Sequence, residues 1–305
     1  MSRCVEFDNC RYNGEMISSP VVRQLKKRVK MVPVCPEVEI GLGVPRQPLR
    51  LIVGPSGHRL IQPATGRDVT ETLKDFSTRF LDTSPFVDGI ILKDRSPSCG
   101  LRNAGIFADA VAHRPLKKGM GLFASQVVTK FPFAVITDEL HLKDPRKRDH
   151  FLTSIFTSAE FHAIRNHESK SNIVQFHAEN KYLLTAYHRQ EYRILTRLIT
   201  NRERRPFDTV IREYQDRLLH ALAKPPRFTS HIAVLTHALG HLEDAVTEPE
   251  RKQFNKAIER FRKGLISVQE PRDLIKKWAL QYDEDYLLQQ TYFEPYPAEL
   301  SSTII

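Results

Sequence analysis

No stretch of the chain approaches the roughly 18–20 consecutive apolar residues of a membrane-spanning helix, so a helical membrane protein is excluded. The first residues are polar and charged almost at once. No secretory leader is read there, and a soluble cytoplasmic protein is the expectation. Cysteine is scarce and confined: Cys4, Cys10, Cys35 and Cys99 are the four present, and nothing after Cys99 adds another. A small secreted scaffold held by disulfides would distribute its thiols differently. There is no Cys-x-x-Cys pair, which removes the main support for a zinc ribbon or a thioredoxin-like site. His231, His237 and His241 fall on one expected helix, with His237 and His241 on one face, but no His-Glu-x-x-His pattern accompanies them. Internal repeats and low-complexity segments are also missing.

A chain of 305 residues with 41% hydrophobic content is long enough for two domains with real cores. The first part alternates. Val21 to Arg28 reads as a short helix and Val29 to Val34 as a strand. Leu51-Ile52-Val53 and Leu60-Ile61 can pair as a hairpin across Gly54-Pro55-Ser56-Gly57. Asp68 to Leu81 is helical by period, with Asp68 as cap and Val69, Leu73, Phe76 and Phe80 on one face. The apolar run Phe86 to Leu92 reads as a buried strand, Gly121 to Lys130 as helix, Phe133 to Ile136 as strand and Asp144 to Ile164 as a longer helix. Strands alternating with helices predict an α/β domain over 1–165, Rossmann-like with a mostly parallel sheet. Residues 166–171 are polar and unpatterned, a linker. The remainder predicts an all-α helical domain over 172–305, with Ile173, Phe176, Asn180, Leu183, Leu184 and Tyr187 on one stripe. Tyr292 to Pro297 is expected as an extended tail packed on the bundle.

The chemistry gathers at turns. The strand ending at Leu92 leads to Ser96-Pro97-Ser98-Cys99-Gly100, and ligands in open α/β sheets sit at the carboxyl ends of strands. Cys35 repeats the arrangement, because Val32-Pro33-Val34 runs into Cys35-Pro36-Glu37. Cys4 and Cys10 precede the turn Arg11-Tyr12-Asn13-Gly14. Three separated segments thus deliver thiols to turns, and we expect them to meet around one inorganic centre. Four buried free thiols are the plain alternative, but a core cysteine belongs inside a strand or helix rather than beside Pro36 or Gly100. Three thiolates leave a metal position open, as a Lewis-acid catalyst needs; Cys10 as a fourth ligand makes an electron-transfer centre instead. Glu37, two residues beyond Cys35, is the candidate proton carrier, against a solvated loop acid. Ser96 and Ser98 are candidates to orient substrate or water, against ordinary turn chemistry.

Formal net charge is +10, and it is uneven. Residues 1–165 carry 25 basic against 17 acidic side chains, 170–227 carry 12 against 6, and 228–305 carry 9 against 12. A polyanion is the expected partner, with the acidic last segment turned away from it. Arg189, Arg193 and Arg197 repeat every four residues, a basic stripe suited to phosphates or a plain solvated face. Arg46, Lys93, Lys181, Arg202, Arg204 and Arg205 complete the candidate phosphate contacts.

These motifs resemble the thiouracil desulfidase (TudS) family: Cys35-Pro36-Glu37 with the Gly-rich Pro45-Arg46 loop, Leu92 to Gly100, and Cys4 with Cys10-Arg11-Tyr12-Asn13-Gly14. The likeness covers residues 1 to about 165. Phe176 to Leu184, Tyr282 to Gln290 and the Pro-rich end are similar to a helical domain of unknown function often fused to it. Such fusions resemble tRNA 4-thiouridine desulfidases (RudS). The resemblance implies a 4Fe-4S cluster held by Cys4, Cys35 and Cys99, with tRNA or a small thiouracil as substrate. It further implies exchange of sulfur for oxygen without net redox change, proton transfer by Glu37, and Ser96 or Ser98 as polar partner. The chain departs from the family where Leu-Leu-Gly usually follows the first cysteine; here it is Val5-Glu6-Phe7. Only three residues precede Cys4, so the usual first strand is almost absent, the start being either trimmed or rebuilt, and Cys10 becomes a substitute ligand to test.

Overall fold

The computed structural model describes residues 1–55, 57–165 and 170–300. They divide into two compact units: Met1–Asp144 together with the chain end from Glu299, and Pro145–Ala298. The first is α/β and the second is helical, as the sequence pattern predicts.

The α/β unit opens with helices α1 (Pro20–Leu25) and α2 (Pro36–Glu39). Strands β1 (Arg50–Gly54), β2 (Gly57–Gln62) and β3 (Arg67–Asp68) follow, then α3 (Thr70–Thr83) and β4 (Gly89–Leu92). Strands β5 (Ala104–Phe107) and β6 (Lys117–Gly119), helix α4 (Leu122–Lys130) and β7 (Val135–Asp138) complete it. A five-stranded sheet runs β3-β2-β1-β5-β6, and β4 pairs with β7 separately. The expected hairpin is present, with β1 antiparallel to β2 from Arg50↔Ile61 to Gly54↔Gly57; Ser56 of its turn lies outside the described residues.

The sheet is mixed rather than mostly parallel. Pairs β1–β5 and β4–β7 are parallel, while β1–β2, β2–β3 and β5–β6 are antiparallel. Short Gly-containing turns join only antiparallel neighbours, whereas a parallel pair needs a crossover. Parallel character survives around β4. The Ser2 N–H donates to the Ile91 carbonyl at 2.8 Å and the Arg3 N–H to that of Val34 at 2.8 Å, and a parallel bridge joins Ser2 to Val34. The segment expected as a strand over Val29–Val34 contributes only that bridge. These bonds hold the residues before Cys4 beside β4.

Helix α3 buries Leu73 and packs Phe76 and Phe80 on the core. The N-cap is Val69, with no side-chain cap bond, rather than the expected Asp68, which lies one residue earlier and accepts the Thr70 N–H at 2.9 Å.

The helical unit comprises α5 (Pro145–Arg165), α6 (Lys170–Glu179), α7 (Lys181–Thr200), α8 (Phe207–Leu222), α9 (Phe228–Gly240), α10 (Glu248–Arg262), α11 (Gln269–Gln281) and α12 (Asp285–Leu288). The boundary falls at Asp144, earlier than the 165 read from the sequence, because Phe161 of α5 belongs to this unit's core with Phe176, Leu183, Tyr214 and Trp278. Asn180 is fully buried between α6 and α7. Its amide donates to the Phe176 carbonyl at 2.9 Å, and its oxygen accepts the Thr291 hydroxyl at 2.7 Å. The expected linker lies largely outside the described residues (166–169), and Lys170 already opens α6. Tyr292 and Phe293 pack as expected, but in a 3-10 turn, Thr291–Phe293, rather than extended chain. Among the described residues no helix is long and apolar enough to cross a membrane.

Candidate active site

Three backbone devices deliver the site. Cys35 is the extended residue capping α2, and Pro36 presets the first helical turn behind it. That turn carries Glu37 inward, buried. The Ser96–Gly100 turn is held by its own serine: Ser96 Oγ accepts the N–H of Cys99 at 3.0 Å and of Ser98 at 3.3 Å. The start of α4 clamps the same turn. The Leu122 and Ala124 N–H groups donate to the carbonyls of Pro97 and Ser98, each at 3.0 Å. Gly121 makes this approach possible, because a Cβ there would lie 2.4 Å from the Ser98 carbonyl oxygen. The third device is the Ser2-Arg3 segment, bonded to Ile91 of β4 and to Val34, which leads into Cys4.

All four thiols are buried and line one cavity of about 560 Å³. Glu37, Arg46, Lys93, Ser96 and Ser98 share that lining. The Cys35 thiol points at the Cys10 carbonyl, 3.7 Å away. Hydrogen bonding with Cys10 and then burial push the Cys35 thiol up from its ordinary pKa, while burial pushes Cys99 up to about 12. For Cys10 the bond with Cys35 pulls downward, but Cys4 and burial outweigh it and the thiol is raised. Thiols this reluctant to ionise alone release protons when a metal takes them as thiolates.

Among the described residues, no three His, Cys, Asp or Glu side chains close on the single point that a mononuclear ion requires. A cluster makes a different demand, spreading thiolates around several metal ions. Cys4, Cys35 and Cys99 arriving from three loops around one roomy cavity fit that demand.

Beside the thiols runs a chain of polar contacts. The Ser98 hydroxyl donates to Glu37 Oε1 at short range. Glu37 Oε2 accepts Arg46 Nε at 2.9 Å and Nη2 at 2.6 Å. Arg46 Nη1 donates to the carbonyls of Cys10 and Gly43, each at 3.0 Å. The geometry separates the two serines: Ser98 touches the carboxylate, and Ser96 shapes the turn, 3.0 Å from Ser98 Oγ. It also corrects two expected phosphate contacts. The Arg46 side chain is only 5% exposed, its donors spent on Glu37 and two carbonyls. Lys93 is drawn to Glu139 at 2.9 Å and to the Asp94 carbonyl. Sequence reasoning missed Arg46 as the partner of Glu37; the signal was there, an acid and a base nine residues apart in one Gly/Pro loop.

In the helical unit Arg189, Arg193, Arg197, Arg202 and Arg204 are exposed, and among the described residues no carboxylate pairs with them. Arg205 is tied to Glu213 at 2.7 Å, and Lys181 donates to the Tyr286 hydroxyl at 2.8 Å. Arg197, Arg202 and Arg205 line a second cavity of about 470 Å³.

Comparison with known proteins gives two family matches: 2-thiouracil desulfurase over residues 1–139, and a protein of unknown function, DUF1722, over residues 181–297. The uncharacterized protein YbbK of Bacillus subtilis is 36% identical over 107 residues, covering 33% of this chain and 71% of that protein. The uncharacterized protein YbgA of Escherichia coli is 26% identical over 151 residues, 49% of this chain and 89% of that protein. No solved structure matches.

Proposed function

Because the chain belongs to the 2-thiouracil desulfurase family and carries a DUF1722 domain behind the matched region, we propose that it removes sulfur from a thiolated uracil in tRNA, 4-thiouridine in the first instance. Water replaces the thiocarbonyl sulfur, giving a carbonyl and hydrosulfide, with no net change of oxidation state. The observation that carries the reading is the Ser98–Glu37–Arg46 chain lying along a cavity lined by Cys4, Cys35 and Cys99.

A 4Fe-4S cluster held by those three cysteines would supply a thiophilic Lewis acid for the departing sulfur. The protein's own groups manage the protons. Arg46 holds Glu37 by one oxygen and so fixes the carboxylate in place to act as base. Ser98, on the other oxygen, fixes the direction in which the carboxylate faces the cavity. Glu37 takes a proton from the attacking water and returns it as the C–S bond breaks. Exposed arginines of the helical unit bind phosphates, which position RNA without reading its sequence.

Cys10 favours a second reading. It lines the same cavity and engages Cys4 and Cys35, so a four-thiolate centre in a non-catalytic RNA-binding protein is the competitor. One experiment separates them. Anaerobically reconstituted protein is incubated with thiolated tRNA, hydrosulfide is measured, and the nucleosides are analysed. Loss of 4-thiouridine with stoichiometric hydrosulfide supports the enzyme; RNA binding with neither product supports the competitor.

A further inference from the structure

One surface of the helical unit takes no part in the chemistry above. His237 and His241 stand one turn apart at the end of α9, both exposed, their rings edge to face with centroids 5.6 Å apart. His241 stacks on Tyr286 of α12 at 5.1 Å and 24°. Tyr182 of α7 is buried beneath, edge-on to His237 at 5.6 Å, His241 at 6.4 Å and Tyr286 at 6.1 Å. Lys181 reaches over the rings of Tyr182 and Tyr286 at 5.5 and 5.3 Å. Three elements distant in sequence thus build one aromatic surface bearing three basic side chains. Among the described residues no carboxylate pairs with Lys181, His237 or His241.

A core aromatic cluster hides its rings, yet here two imidazoles stay in solvent on a buried tyrosine floor. Partial burial, then the neighbouring charges of His241 and Lys181, hold His237 below its ordinary pKa. Neutral imidazole is a poor phosphate ligand and a good stacking partner. Bases stack on aromatic side chains with little regard to sequence, and a nearby cation takes the adjoining phosphate.

We propose that His237, His241 and Tyr286 form a stacking site for an unpaired nucleobase of the RNA substrate, with Lys181 on the adjoining phosphate. The proposal rests on the reading that this protein binds RNA. It assigns a base-contacting role to the segment whose net negative charge had set it apart from the polyanion.

The test uses the full chain with a single-stranded oligoadenylate and an abasic oligomer of equal length and charge. His237→Ala/His241→Ala should weaken oligoadenylate binding about tenfold or more, with no change for the abasic oligomer and no change in salt slope. His237→Phe/His241→Phe should restore the affinity. Lys181→Ala should lower the salt slope by about 0.7, one single-strand phosphate. Wild-type affinity in the alanine double variant overturns the proposal. So does a phenylalanine variant as weak as the alanine one, because the imidazole nitrogens, binding a metal or donating hydrogen bonds, would then be what matters. A parallel variant, Arg189→Gln/Arg193→Gln/Arg197→Gln, separates the failures. If it weakens tRNA binding while the histidine variants do not, the stacking site falls and the RNA reading stands. If wild-type protein binds no RNA, both fall.

Discussion

Arg46 and the Arg189–Arg193–Arg197 stripe are the same residue type doing opposite things in the two units. Arg46 is sealed against Glu37, with 5% of its side chain exposed. The stripe is open to solvent and, among the described residues, free of carboxylates. A sequence gives arginine one charge and one set of donors wherever it falls. What differs is whether the fold spends the donors. In the α/β unit they fix a carboxylate in one orientation beside the thiols. In the helical unit they remain available, which is what a mobile polyanion requires.

The largest expected effects fall on the enclosed side. Cys4→Ala, Cys35→Ala and Cys99→Ala should each abolish iron and acid-labile sulfide in reconstituted protein, and Cys10→Ala should retain both. An iron-free Cys10→Ala protein that still folds would overturn the three-thiolate assignment. Next, Glu37→Gln should keep its iron and lose about 10²–10⁴ in turnover. Arg46→Ala should lose about 10–10² and also stability, about 3–5 kcal/mol, because a buried carboxylate is left unpaired. Full turnover and an unchanged melting temperature in Arg46→Ala would make the ion pair ornamental.

How far the sequence revealed this depends on what each inference needed. The Gly54–Gly57 hairpin, the α3 face and the thiol-bearing turns follow from local rules, and all are present. The stripe Ile173, Phe176, Leu183 and Leu184 is core, as its period demands. The joining of Ser98 to Glu37 across 61 residues needed the tertiary fold, and so did the finding that Ser98 touches the carboxylate while Ser96 bonds its own turn. Strands β5 and β6 escaped notice because Ala104-Gly105 opens the one and Lys117, Lys118 and Gly119 make up the other, residue types depleted in strands. Segment charge in the helical unit could not show that Lys181 arrives over Tyr286, on which His241 stacks.

On the open side the expected effects are smaller and depend on salt. Replacing Arg189, Arg193 and Arg197 with glutamine should lower the slope of log K against log salt by up to about 0.9 for each lost duplex phosphate contact. Turnover of a small free thiobase should stay unchanged. A slope equal to wild type in a normally folded triple variant would return the stripe to a solvated helix face.

The smallest expected effect sets the two units apart by acid. Burial holds His177 down to about 4 and His231 to about 3 in the helical unit. His177 is boxed between Tyr214 Oη at 3.1 Å and Thr196 Oγ1 at 3.0 Å, and His231 lies 2.8 Å from Tyr292 Oη. An unfolded chain protonates both near pH 6.5, whereas the folded unit does so only near 3–4. Between these values the unfolded state binds more protons, so stability falls as pH falls. From pH 6.5 to pH 5 each histidine removes on the order of 2 kcal/mol, several degrees of melting temperature for a unit of this size. Melting curves at pH 7 and pH 5, with NMR titration of the imidazole ring protons, test this directly. Rings of His177 and His231 that titrate near 6.5 would mean that this core admits water, and the contrast between the buried Arg46 and the exposed arginine stripe would then need redrawing inside the helical unit itself.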